Sequence, residues 1–191
     1  MNRKIFTPRF VFILTTIVAA AAMRLIPHWP NFTPIAAMAL FGGAYFNRRY
    51  LAFLVPLVAM FLSDIVISLV QHVPLFHATM PAVYIAFAIT VLIGILIARN
   101  PRVLNIAAAS ITSTIIFFII TNFAAWLGSP MYPQTFTGLM ESYYAGLVFL
   151  NNGNLGISFF LNSLVGDLFY TGLLFGIFYL ARLRFPSLAL R

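Results

Sequence analysis

The chain has 191 residues, of which 62% are hydrophobic and only 7% are charged. A soluble domain usually has about a quarter of its residues charged, so this composition excludes a soluble protein and predicts a polytopic membrane protein. The net charge of +8 would suggest nucleic-acid binding in a soluble chain. Here the basic residues lie at the ends of apolar segments and indicate topology instead. Because there is no cysteine, disulfides, thiolate metal sites and cysteine nucleophiles are excluded.

The apolar segments predict an all-α membrane protein built as a bundle of six transmembrane helices. A helix needs about 20 apolar residues to cross a bilayer, with a range of about 17–25. The first segment follows a basic start as a signal peptide would, but the chain stays apolar after it, so we predict a retained first helix. The predicted spans, in chain order, are about 10–26, 32–47, 50–71, 80–98, 103–127 and 156–181.

A further apolar segment at about 135–150 is short and contains Glu141. We expect an interfacial or re-entrant helix there rather than a seventh span. Six spans place every one of the 11 lysines and arginines except Arg24 on one side. The positive-inside rule then puts both termini in the cytoplasm of a multi-pass membrane protein with one domain, 1–191. The predicted outer loops are 27–33, 72–79 and 128–155.

Polar side chains at membrane depth are the candidate functional residues, since they are costly there. Asp64 lies 14 residues after Tyr50, about 21 Å from the cytoplasmic end of its helix, and Asp167 falls near the midplane. The outer half of the bundle contains nearly all such groups, which favours a cavity that opens outside and is closed below. The predicted substrate-binding residues are Arg24, His28, Asn31, Asp64, Tyr84, Asn122 and Asp167.

Structural roles are the alternative for several of these residues. Arg24 and Asp64 could form a buried ion pair. Asp167 could be held by Asn162, Ser163 or Thr171 on its own helix, where Gly166 would let another helix approach. Pairs of small residues four apart favour close helix packing inside the protein. These pairs are Ala39/Gly43, Ala82/Ala86 and Gly172/Gly176.

The segment "RLIPHWPNFTPIAAMALFGGAYF", together with "PAVYIAFAITVLIG" and "NSLVGDLFYTGLLFG", resembles a family of small bacterial inner-membrane proteins of largely unassigned function. The resemblance covers the chain from about Arg24 to Gly176. That family is similar to the solitary vitamin B12 transporters, which are relatives of the substrate-binding S components of energy-coupling-factor (ECF) transporters. The resemblance therefore implies six helices, both termini inside, and an outward-facing pocket capped by outer loops.

The resemblance also implies roles for individual residues. In the B12-transporter relatives a histidine, an aspartate and a tyrosine surround the corrinoid, and His28, Asp64 and Tyr84 match them by position. The cysteine that ligates cobalt in those relatives is missing here, and His77 or Met80 is its candidate replacement. Apart from that substitution we predict no metal site, and no cofactor other than a corrinoid bound as substrate.

We expect the chain to bind a small vitamin-like substrate from the outer side and to mediate its uptake without being an enzyme. Its expected partners are the lipid bilayer, the ligand and an ECF-type ATPase module, unless the solitary bundle moves by itself; nucleic acid is not among them. A scaffold protein of the cell envelope is the first alternative, and an outward cavity of roughly 300 Å³ or more that is lined by the candidate polar residues would count against it. A membrane-embedded enzyme using His28, Asp64 or Asp167 is the second, although no catalytic spacing is recognisable.

Overall fold

The computed structural model describes residues 6–148 and 158–189, and all regular structure in these ranges is helical. The ends of two predicted elements, 156–157 of the last span and 149–150 of the interfacial helix, lie outside the described residues. A 3₁₀ turn at Pro186–Leu188 follows the last helix. The described helices are α1 (Pro8–Met23), α2 (Ile35–Tyr45), α3 (Arg49–Gln71), α4 (Met80–Ile97), α5 (Val103–Gly128), α6 (Phe136–Val148) and α7 (Phe159–Arg184).

Four of these helices, α3, α4, α5 and α7, are 18 to 26 residues long and apolar enough to cross a membrane. The apolar helices α1 and α2 are shorter, with 16 and 11 residues. At 1.5 Å per residue α2 is about 16 Å long, which is roughly half of the ~30 Å hydrocarbon core. The helix is therefore shorter than the predicted segment 32–47, because residues 31–34 belong to the preceding loop and Phe46 is already extended.

The first helix ends three residues earlier than its predicted span. The backbone N–H groups of Arg24, Leu25 and Ile26 donate to carbonyl groups three residues earlier in the chain. Such bonds define a tighter 3₁₀ turn, and Pro27 disfavours the α conformation at the residue before it. Arg24 consequently caps the end of α1 instead of lying inside the helix.

Successive helices α1 to α5 alternate in direction, so the bundle has two ends. The α1–α2 loop, residues 24–34, lies at the end that we call the loop end. At the opposite end the guanidinium of Arg9 donates to the carbonyl oxygens of Tyr45, at 3.0 Å, and Leu188, at 3.3 Å. This contact ties the start of α1 to the end of α2 and to the 3₁₀ turn. The opposite end, the arginine end, carries Arg9, Arg48, Arg49, Arg99, Arg102, Arg182 and Arg184.

The short helix α2 is the centre of the bundle. Ten of its 11 residues are buried, and it contacts α1, α3, α4, α5 and α7. A Cβ atom added at Gly43 would lie 2.3 Å from the carbonyl oxygen of Val91, and one added at Gly94 would lie 2.5 Å from that of Leu40. The backbones of α2 and α4 therefore touch, and the predicted pair Ala39 and Gly43 serves internal packing.

Candidate functional site

A cavity of about 210 Å³ at the loop end brings together three of the predicted binding residues, Arg24, Asn31 and Asp167. Asn31 is exposed on the α1–α2 loop, whereas Asp167 is only 6% exposed. The cavity therefore extends from the surface of the loop into the interior of the bundle. Its other lining residues come from the loop, α2, α4, α5 and α7 and are Thr33, Ile35, Ala36, Phe87, Thr90, Phe117 and Ser163.

The α1–α2 loop forms a wall of this cavity because it is folded against α7. Asn31 has a φ of 63°, a left-handed conformation that asparagine adopts more readily than most residues. The ring of Phe32 lies 5.8 Å from that of Phe169 and 5.5 Å from that of Tyr170. A Cβ atom at Gly166 would lie 3.0 Å from the Cα of Phe32. Gly166 thus admits this loop, and not the neighbouring helix that the sequence led us to expect.

The buried acid of the cavity is Asp167 of α7. The hydroxyl of Thr114, on α5, donates to its carboxylate at 2.6 Å, and one turn further along the helices the hydroxyl oxygens of Ser110 and Thr171 lie 3.3 Å apart. The hydrogen bond from Thr114 offsets part of the cost of burying the carboxylate of Asp167. No ion pair joins Asp167 to any residue in the described ranges. Its carboxylate therefore keeps acceptor capacity that a ligand could use.

Arg24 lies between the cavity and a second polar group, which we call the Arg24–Asp64 network (Arg24, Ser63, Asp64 and Tyr84). The guanidinium donates to a carboxylate oxygen of Asp64 at 2.7 Å, to the hydroxyl of Ser63 and to the carbonyl of Met60 at 3.2 Å. The hydroxyl of Tyr84 donates to the second oxygen of Asp64 at 2.9 Å. Because the side chains of the ion pair are only 10% and 19% exposed, the network fastens α1, α3 and α4 to one another.

This network matches the structural alternative for Asp64. Its two carboxylate oxygens are occupied by Arg24 and Tyr84, and neither Asp64 nor Tyr84 lines the cavity. The Nε–H of Arg24, however, is buried and has no hydrogen-bond partner among the described residues. A buried donor without a partner costs roughly 1–3 kcal/mol. A ligand in the cavity that accepted this hydrogen bond would recover part of that cost.

The structure places two further predicted residues, His28 and Asn122, away from the cavity. His28 is exposed on the loop, where its Nδ1 lies 3.2 Å from the carbonyl oxygen of the following residue. The amide of Asn122 donates to the carbonyl of Phe118 at 2.9 Å. Its side-chain oxygen would lie 2.8 Å from a Cβ atom added at Gly146. Asn122 consequently packs against α6 and helps to seat that short helix on α5.

The metal candidates His77 and Met80 lie at a different place from the cavity. Both line a shallow surface hollow of about 410 Å³, which also touches Tyr84. The Nδ1 of His77 is 2.9 Å from the hydroxyl oxygen of Thr79. Within the part of the chain that the structure describes, no three His, Cys, Asp or Glu side chains are grouped in a way that could hold a metal ion.

Two hydroxyl side chains at the site, Thr90 and Thr114, were missed by the sequence analysis. Thr90 lines the cavity, and Thr114, on α5, is the hydroxyl that contacts Asp167. The expected neighbour Ser163 lines the cavity too, but its hydroxyl donates to the carbonyl of Phe159. Thr90 is 1% exposed, and its hydroxyl also donates to the carbonyl of Ala86, one turn earlier. In the sequence, these residues are marked by a hydroxyl side chain inside an apolar helix. Such a hydroxyl can, however, donate to a backbone carbonyl of its own helix at little cost. For that reason such residues are hard to distinguish from ordinary helix positions.

The comparisons with known proteins give a family without a function. A family model with the description "Family of unknown function (DUF6580)" matches residues 4–188, so the chain belongs to that family. No curated protein and no solved structure matches the chain. The function therefore has to be argued from the cavity and its surroundings.

Proposed function

We propose that this member of the DUF6580 family is a bacterial inner-membrane protein that binds a small, polar, vitamin-like molecule in the loop-end cavity and mediates its uptake. The observation that carries the proposal is the convergence of Arg24 and Asn31, from the α1–α2 loop, and Asp167, from α7, on one cavity. Small-molecule sites are commonly apolar cavities with a few convergent polar groups. The apolar part of this wall is supplied by Phe87 and Phe117.

The chemistry of the wall suggests which kind of molecule would bind. The Nε–H of Arg24 and the amide of Asn31 can donate hydrogen bonds, and the carboxylate of Asp167 can accept them. We therefore expect a ligand with an acceptor group at one end and a donor or a cation at the other. At about 210 Å³, the cavity is smaller than the roughly 300–1,000 Å³ of common ligand pockets. This volume favours a small molecule, and a corrinoid would require the α1–α2 loop to move away.

In this proposal, the loop end of the bundle lies on the outer side of the membrane. The arginine end carries seven of the described arginines, whereas the loop end has Arg24 alone. Under the positive-inside rule the arginine end lies in the cytoplasm. In this arrangement α1 and α2 complete six membrane-inserted helices, both termini are cytoplasmic, and α6 is interfacial or re-entrant. Uptake would be driven by an external ATPase module of the ECF type or by rigid-body movement of the bundle alone.

Native mass spectrometry of the gently purified protein tests the proposal, because a bound molecule appears as added mass. Asp167→Asn keeps the size of the side chain and an oxygen that can accept from Thr114, but removes the charge. We expect this variant to hold at least about tenfold less ligand, a loss of about 1.4 kcal/mol, while it stays folded. The matched control is Glu141→Gln, which neutralises an exposed acid on α6 outside the cavity. Equal occupancy in Asp167→Asn and wild type would contradict the proposed site.

A scaffold role in the cell envelope is the second candidate, and two observations favour it. The members of the Arg24–Asp64 network bond to one another, as a purely structural role predicts. In addition, the cavity of about 210 Å³ is smaller than the roughly 300 Å³ that would count against a scaffold. A scaffold predicts that no small molecule co-purifies with the wild-type protein and that the Asp167→Asn substitution changes only stability.

A further inference from the structure

A larger cavity of about 670 Å³ lies at the arginine end, in a groove between α5 and α7. The groove follows α7 from Leu168 to Arg182, a distance of 14 residues or about 21 Å. One leaflet of hydrocarbon is about 15 Å deep, half of the ~30 Å core. The groove is therefore long enough to extend through one leaflet. Its apolar wall includes Tyr45, Val103, Ile106, Ala107, Phe175 and Tyr179.

Two glycines leave the floor of this groove open. A Cβ atom added at Gly172 or Gly176 would meet no atom within 4 Å, in contrast to Gly43, where it would collide with the backbone of α4. The predicted small-residue pair Gly172/Gly176 therefore does not pack another helix within the described part of the chain. It keeps a narrow apolar channel free along α7.

The mouth of the groove is positively charged. Arg102 and Arg182 both line it and are exposed, and neither forms an ion pair with a described residue. None of the three acidic residues of the chain lines the groove. Helix α5 also begins here, at Val103, without a side-chain cap. The free N–H groups of a helix start attract anions, so three positive features converge on one place.

We propose that this groove binds one anionic phospholipid, with its phosphate at Arg102 and Arg182 and an acyl chain along Gly172 and Gly176. Guanidinium groups form strong hydrogen bonds with phosphate, and basic pockets between transmembrane helices on the cytoplasmic side bind anionic lipid headgroups. A free phosphate ion would occupy the arginines and leave the apolar groove empty. An apolar partner helix would fill the groove without supplying a counter-charge. A phospholipid is a single molecule that places a phosphate at the arginines and an acyl chain in the apolar groove.

The test measures lipid preference on the full-length protein in detergent by native mass spectrometry. The probes are dioleoyl phosphatidylglycerol and dioleoyl phosphatidylethanolamine at equal concentration, which share their acyl chains and differ in net charge. Each basic residue near the membrane surface favours anionic lipid by roughly fivefold. With two arginines we therefore expect the wild-type protein to prefer phosphatidylglycerol by about 25-fold. A wild-type protein that binds both lipids equally would overturn the proposal.

Three variants locate the preference. The double variant Arg102→Gln/Arg182→Gln should bind the two lipids to within about twofold of each other, because both charges at the mouth are gone. The control pair Arg49→Gln/Arg184→Gln removes two arginines from the same end but outside the groove, and it should keep the wild-type preference. Gly172→Leu should weaken the binding of both lipids, because its side chain fills the channel.

The results that would overturn the proposal are equally specific. One is an unchanged preference for phosphatidylglycerol in the Arg102/Arg182 double variant, and another is an equal loss of that preference in the control pair. The third is undiminished lipid binding in Gly172→Leu, which is expected if the groove binds a protein helix instead of a lipid. Since a Cβ atom at Gly172 has free space around it, we expect that variant to fold. If its circular dichroism shows otherwise, the two arginine pairs decide the question. The groove is separate from the loop-end cavity, so this test is independent of the proposed uptake function.

Discussion

Asp64 and Asp167 are both acids within apolar helices, but their surroundings differ. Asp64 uses both of its oxygens, one with the Arg24 guanidinium at 2.7 Å and the other with the Tyr84 hydroxyl at 2.9 Å. Asp167 contacts one hydroxyl, that of Thr114, and lines a cavity. An acid whose partners are all within the protein stabilises the fold, whereas an acid with spare acceptor capacity beside a cavity can bind a ligand. From this difference we expect a structural role for Asp64 and, under the proposed function, a binding role for Asp167.

The largest expected effect is on stability and concerns the structural acid. Asp64→Ala leaves the largely buried guanidinium of Arg24 without its counter-charge. Removing one partner of a buried ion pair typically costs roughly 3–5 kcal/mol, and we expect a loss in this range. The measurement is the free energy of unfolding in detergent. Glu141→Ala, at an exposed position, is the control and should change stability by at most about 0.5 kcal/mol. An equally small change in Asp64→Ala would contradict a structural role for Asp64.

The next effect concerns the hydroxyl that completes the same network. Tyr84→Phe removes a hydrogen bond to a charged acceptor, which is worth about 1.5–3 kcal/mol. We expect a stability loss near the lower limit of that range and no change in ligand occupancy, because Tyr84 does not line the cavity. Unfolding and native mass spectrometry on the same preparation measure both. Lower ligand occupancy with unchanged stability would instead support the direct ligand contact that the resemblance implies for Tyr84.

An intermediate effect should appear for the hydroxyl partner of Asp167. Thr114→Val keeps the shape of the side chain and removes its donor to the carboxylate. A hydrogen bond to a charged group contributes about 1.5 kcal/mol, so we expect a stability loss of about that size together with weaker ligand binding. Thr112→Val is the control, since Thr112 is exposed on the same helix. An unchanged ligand occupancy in Thr114→Val would show that orientation of Asp167 does not matter for binding.

The smallest expected effect concerns His28. This residue is exposed and lies outside the cavity lining, so His28→Ala should change the free energy of unfolding by less than about 0.5 kcal/mol. It should also leave the bound mass of ligand as in the wild type. A selective loss of ligand would mean that the α1–α2 loop closes over the cavity and brings His28 to the bound molecule.

Much of the helical framework could be predicted from the sequence. The predicted segments 50–71, 80–98 and 103–127 differ by at most one residue at each end from α3, α4 and α5. Arginine residues precede α3 and α5, and prolines lie in the first turn of α4 and just after α5, so residue types that limit helices mark most of these ends. The end of α1 and the length of α2 were less accurate, since both depend on how the α1–α2 loop folds against α7.

The site was harder to predict, because a sequence shows which residues are polar but not what they face. Arg24, Asn31 and Asp167 line one cavity, whereas Asp64 and Tyr84 are turned to each other and Asn122 to α6. The pairing of Asp64 with Tyr84 joins residues 20 positions apart, on different helices. Hydropathy and position along the chain give no difference between residues that face a cavity and residues that face each other. That difference arises from the packing of the helices.

The roles of the two acids are tested most directly by comparing Asp64→Asn and Asp167→Asn in parallel. Ligand occupancy is measured by native mass spectrometry and thermal unfolding on the same preparations. We expect Asp64→Asn to lower the melting temperature but to keep the small molecule on the protein that remains folded. Asp167→Asn should have a melting temperature close to that of the wild type, and its occupancy by the small molecule should be at least about tenfold lower. The opposite pattern, or a wild-type protein without any bound molecule, would contradict these roles.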